Sequence, residues 1–85
     1  MNEKEELKQK LEKELGWVQY RQKVLDIIEE KLLHMKVMAE EAKEINLSSE
    51  ELKKLNDKLN ILASQVNELD NESKSLKNVS ENILQ

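Results

Sequence analysis

Residues 46–52 read Asn46-Leu47-Ser48-Ser49-Glu50-Glu51-Leu52, and they decide whether this chain is one helix or two. Ser48 followed three positions later by Glu51 is the pattern of a capping box. In it the Ser hydroxyl accepts from the amide of residue 51 while the Glu carboxylate reaches back to the amide of residue 48. Leu47 and Leu52 occupy the positions of a hydrophobic staple. Glu50 and Glu51 put negative charge into a first turn, where the helix dipole favours it. Together these signals predict a turn over about 46–48 and a second helix over about 49–84.

Downstream of the turn a 3–4 spacing runs without interruption through Leu52, Leu55, Leu59, Leu62, Val66, Leu69, Ser73, Leu76, Ser80 and Ile83. An apolar residue at every 3.5 positions keeps one seam of a helix facing a partner helix. The six Asn residues of this segment are poor helix formers, so packing must hold it, and its end is expected to fray beyond Leu76.

Upstream, over about 3–45, a first helix is predicted by a similar seam. Its a positions are Leu11, Val18, Leu25, Leu32 and Ala39; its d positions are Leu7, Glu14, Arg21, Ile28, Met35 and Ala42. The spacing from Leu11 to Leu52 is not a multiple of seven, so the two registers do not run through the turn. Gly16 lowers helix propensity by about 1 kcal/mol relative to Ala. It falls at an outward position, and at most a kink is expected there.

Laid antiparallel about Leu47, the seams pair Ala42 with Leu52, Ala39 with Leu55, Met35 with Leu59, Leu32 with Leu62, Ile28 with Val66 and Leu25 with Leu69. Then come Arg21 with Ser73, Val18 with Leu76, Glu14 with Ser80 and Leu11 with Ile83. Polar seam positions of one helix thus meet polar seam positions of the other. Arg21 is the one odd charge. It reads as a snorkelling side chain or as a polar layer that fixes register, with Glu14 as the nearest seam counter-charge.

A second stripe on the first helix lies one residue out of phase: Trp17, Tyr20, Val24, Ile27, Lys31, His34, Met38 and Ile45. The two stripes together are wider than one partner helix can cover. The expected fold is therefore all-α: a long antiparallel two-helix hairpin, a single domain over 1–85, dimerising through its first helix into a four-helix bundle. Trp17, Tyr20, Val24, Ile27, Met38 and Ile45 are the expected protein-interaction residues.

Composition narrows the function classes. Charged residues are 38% of the chain, with Glu and Lys interleaved to a net charge of −4. That pattern is a solvated helix surface, not the basic stripe of a nucleic-acid binder. Without Cys there is neither a disulfide framework nor a thiolate metal site. No apolar run is long enough to span a membrane, and Met1 to Glu6 lack a signal-peptide core, so the expected location is cytoplasmic. His34 is the only His and reads as a partly buried packing residue. The Glu residues show no Glu-x-x-His pairs of the di-iron kind. No phosphate-binding Gly loop, nucleophile elbow or triad candidate occurs. The expectation is no catalytic, cofactor-binding or metal-binding residue.

The run Leu25, Ile28, Leu32, Met35, Ala39, Ala42, Asn46-Leu47-Ser48, Glu51, Leu55, Leu59, Leu62, Val66 and Leu69 is similar to the helical hairpin near the start of bacterial flagellins. The resemblance covers residues 25–70 and consists of apolar spacing and a capped turn. It implies a hairpin that packs against other helices. The capped helical hairpins of sporulation-regulating aspartyl-phosphatase peptides carry Ser-Gln-Glu-Leu-Asp in their second helix. Here Asn56-Asp57-Lys58-Leu59-Asn60 keeps only the Leu.

The expected function is a non-enzymatic helical interaction module that pairs with itself as a homodimer or with another helical protein. No nucleic acid, membrane, cofactor or small-molecule substrate is expected. The alternative is a small cytoplasmic export or assembly chaperone, a flagellar one included, holding a client's amphipathic helix on the Trp17–Met38 stripe.

Overall fold

The computed structural model describes residues 2–84, with side chains described for residues 2–76. Helix α1 spans Glu3–Glu44 and helix α2 spans Ser49–Leu84. The Asn2 side chain caps α1 by accepting from the Glu5 amide at 2.9 Å. Glu3, Glu5 and Glu6 occupy its first turn, where negative charge suits the dipole. Gly16 leaves α1 unbroken. At the other end Ile45 turns extended, with φ −115° and ψ 138°.

The second helix starts as its sequence predicts. The Glu51 amide donates to Ser48 Oγ at 3.2 Å, and the Ser48 amide donates to Glu51 Oε1 at 3.4 Å. Leu47 is half-buried, while its expected staple partner Leu52 is exposed. α2 then runs back along α1 as an antiparallel hairpin measuring 68 × 17 × 9 Å between Cα extremes. No strand occurs among the described residues. α2 is helical as far as Leu84, beyond the point at Leu76 where fraying is expected to begin, and the expected layers at Ser80 and Ile83 involve side chains outside the described residues.

The register is fixed at its polar layer. Arg21 Nη1 donates to Ser73 Oγ, so the pairing of these two seam positions holds. The phase of α1 about its own axis differs from the expected one. The side chains turned toward α2 are Trp17, Arg21, Val24, Ile28, Lys31, Met35, Met38 and Ala42, all buried or half-buried. Val24 is 4% exposed and Ile28 8%. From Arg21 onward this seam keeps the expected d row, whose first two members, Leu7 and Glu14, are exposed, and it replaces the expected a row by the inner half of the second stripe. Leu11, Val18, Leu25 and Leu32 are exposed instead. Ala39 is exposed as well, so the expected layers Val18–Leu76, Leu25–Leu69, Leu32–Leu62 and Ala39–Leu55 do not form the seam.

The rotation has a physical gain. It brings the Trp17 indole N–H to the Ser73 carbonyl at 2.9 Å, and a buried indole N–H needs such an acceptor. The expected phase would carry Trp17 away from α2 and leave Val18 in its place. On α2 the expected seam residues Leu55, Leu59, Leu62, Val66 and Leu69 are half-buried and Ser73 is fully buried.

Candidate protein-interaction surface

The part of the d row of α1 that faces α2 is Arg21, Ile28, Met35 and Ala42; beside it, offset by three or four residues along the chain, lies the row of Trp17, Val24, Lys31 and Met38. These two rows complete the contact with α2. Each has an outer neighbour, and both outer neighbours face solvent. On one flank lie Leu11, Val18, Leu25 and Leu32, between 39% exposed at Leu25 and 55% at Leu11. On the other lie Tyr20, Ile27 and His34, also exposed.

The six expected interaction residues divide accordingly. Val24 is buried against α2, and Trp17 and Met38 are half-buried along the same seam. Tyr20 and Ile27 are exposed on the second flank, and Ile45 is exposed beside the turn. The structure thus does not gather them into one outward stripe. Ile45 and Met38 line a shallow groove near the turn with Ala42, Leu47 and Leu55. His34, expected to be partly buried, is exposed. It belongs to an outer row, and the seam residues one turn from it are Lys31 and Met38.

Two polar contacts show which edge of α2 borders each flank. Arg21 reaches Asp70, so Asp70 marks the edge beside the Leu11–Leu32 row. Lys31 Nζ donates to Gln65 Oε1 at 2.9 Å, so Gln65 marks the edge beside Tyr20 and Ile27. The heptad relatives of Asp70 on that first edge are Ala63 and Asn56. The first face of the hairpin is therefore a leucine ridge on α1 next to a small and polar edge of α2. Leu7 continues the exposed apolar surface toward the N-terminus and Leu15 adds to it between Leu11 and Val18, both more than half exposed.

The polar layer inside the seam differs from the expected one in its counter-charge. Arg21 Nη2 donates to Asp70 Oδ1 at 2.6 Å, and Lys74 Nζ lies 2.8 Å from Asp70 Oδ2. Asp70, not Glu14, is the counter-charge of Arg21. Ser73 Oγ, accepting from Arg21, donates to the Asp70 carbonyl at 3.1 Å. Every buried polar side-chain atom among the described residues has a partner, so the layer meets the condition for tolerating polar groups in a seam. Hydrogen bonds from Lys74 and Arg21 hold the Asp70 carboxyl below its ordinary pKa of 3.8. A sequence signal for Asp70 existed. It stands three residues before Ser73, one turn along the same face, within the reach of an Arg placed opposite Ser73.

Elsewhere the charges are surface features. Lys36 and Glu40 form an exposed i,i+4 pair at 3.9 Å, a kind worth little. No cluster of three or more His, Asp or Glu able to hold a metal occurs among the described residues, and none of their helices is long and apolar enough to cross a membrane. Comparison with protein-family models, with curated proteins and with solved structures gives no match.

Proposed function

We propose that this chain is a non-enzymatic interaction module whose working surface is the outer leucine ridge of α1. One observation carries the reading: Leu11, Val18, Leu25 and Leu32 repeat at heptad spacing, yet stand exposed beside a seam that is already complete. Burying a large apolar side chain contributes roughly 1.5–3 kcal/mol. A ridge of four left in water forgoes several such contributions, and its spacing is that of a surface which receives a helix. The site offers shape and apolar area, which is what a structural or adaptor role needs.

The test is a pair of charged substitutions on the ridge, Val18→Glu with Leu25→Glu. Both positions lie outside the seam, so circular dichroism is expected to show an intact helical hairpin. Association with any helical partner, this chain included, and binding of an apolar dye are expected to fall sharply. Unchanged association and dye binding would remove the ridge from the account.

A further inference from the structure

Resting on that reading, we infer that the occupant of the ridge is a second copy of this chain, packed with α1 against α1 in antiparallel order. A chain of 10.0 kDa folded as a compact monomer exposes about 5,200 Å², whereas this hairpin exposes 7047 Å². The excess is about twice the ~800 Å² that each partner of a standard interface removes from water. The hairpin is also a single layer of two helices, 9 Å across its thin direction, and stable domains close a core between two layers. A second copy laid on the ridge face supplies that layer and makes a four-helix bundle.

The face selects its own orientation. Were α1 laid over the partner's α2, the ridge would meet the edge of Asn56, Ala63 and Asp70. With α1 over α1, leucine meets leucine and the polar α2 edges meet each other. A two-fold axis between Arg21 and Gln22 sets Leu11 opposite the partner's Leu32 and Val18 opposite the partner's Leu25. All four large residues are then paired, and no shift by a heptad achieves this. The row from Leu11 to Leu32 is about 32 Å long at 1.5 Å per residue, and α1 is itself a helix long enough to cover it.

The chain has no Cys, so engineered thiols report this geometry without background. The unaltered protein at tens of micromolar is expected to sediment at twice the chain mass, and Val18→Glu with Leu25→Glu to restore the single mass while keeping its helicity. A mixture of Val18→Cys and Leu25→Cys chains is expected to oxidise to the mixed disulfide dimer in excess of either homodimer, as are Leu11→Cys and Leu32→Cys. Homodimers formed faster by each Cys variant alone would show parallel order and overturn the orientation. A doubled mass that survives the two Glu substitutions would overturn the surface. A single mass for the unaltered chain overturns the second copy as occupant. The ridge reading itself then stands if a synthetic amphipathic helix binds the unaltered chain and not the Glu variant, and falls if it binds neither.

Discussion

Arg21 on α1 and Asp70 on α2 are joined across the hairpin by a charge-assisted hydrogen bond, Nη2 to Oδ1 at 2.6 Å. The bond does more than neutralise an odd charge in an apolar seam. Its partners sit at fixed heights on antiparallel helices, so it forms in one register, and Arg21 adds a second tie to Ser73. Each group also depends on the other: removing one leaves the other half-buried with fewer partners.

A double-mutant cycle with Arg21→Met and Asp70→Asn reads that dependence. Each single change is expected to destabilise the hairpin. The double change is expected to cost less than the sum, because neither group is then left without the other. Additive effects on urea midpoints would mean that the two side chains do not act as a pair.

Acid is expected to weaken the hairpin through the same residue. The Asp70 pKa is lowered in the folded chain by Lys74 and Arg21. Its contribution is therefore fully present above the unfolded value of 3.8 and is lost as pH falls through the lower folded value. Thermal midpoints followed down through the carboxylate range should decline, and Asp70→Asn should flatten part of that decline. An equal slope in the variant would assign the acid sensitivity to other carboxylates.

Gly16 gives a prediction of opposite sign. A Cβ built at this position meets nothing within 4 Å, and the residue lies inside α1. Gly16→Ala is expected to stabilise by about 1 kcal/mol, measurable as a higher urea midpoint with unchanged m-value. A loss of stability would show that α1 bends there.

The contrast between Ile28 and Leu32 tests the phase of α1. Ile28 is 8% exposed and Leu32 is 51% exposed. Ile28→Ala is expected to cost about 2–5 kcal/mol, close to the whole stability of so small a domain. Leu32→Ala is expected to stay within about 0.5 kcal/mol when measured dilute enough for single chains. Equal losses would favour the phase in which both residues face α2.

How much of this was legible follows from the range of each signal. The turn was readable because Ser48 and Glu51 cap a helix by contacts between residues three apart. The layer of Arg21 and Ser73 was readable because polar positions interrupt both seams at matching heights. The phase of α1 was not. Beside the row of Ile28 and Met35 there are two candidate rows, Val18-Leu25-Leu32 and Trp17-Val24-Lys31-Met38, and both are mainly apolar. Spacing gives the period of a helix but cannot rank two flanking rows of similar hydrophobicity. Long-range polar contacts separate them, the Trp17 indole on the Ser73 carbonyl and Arg21 on Asp70. The interaction surface inherited that ambiguity. Of the six expected interaction residues, Trp17, Val24 and Met38 lie along the seam and Tyr20, Ile27 and Ile45 are exposed, while the Leu11–Leu32 ridge, expected in the seam, faces solvent.

Thiol labelling at single introduced cysteines tests the seam and the ridge in one measurement. Val24→Cys and Ile28→Cys are expected to be protected from an alkylating reagent at every protein concentration, because α2 of the same chain covers them. Leu25→Cys and Leu32→Cys are expected to react rapidly in dilute protein and to become protected as concentration rises and a second copy covers the ridge. Protection of Leu25→Cys and Leu32→Cys at all dilutions, with Val24→Cys reactive, would contradict the account.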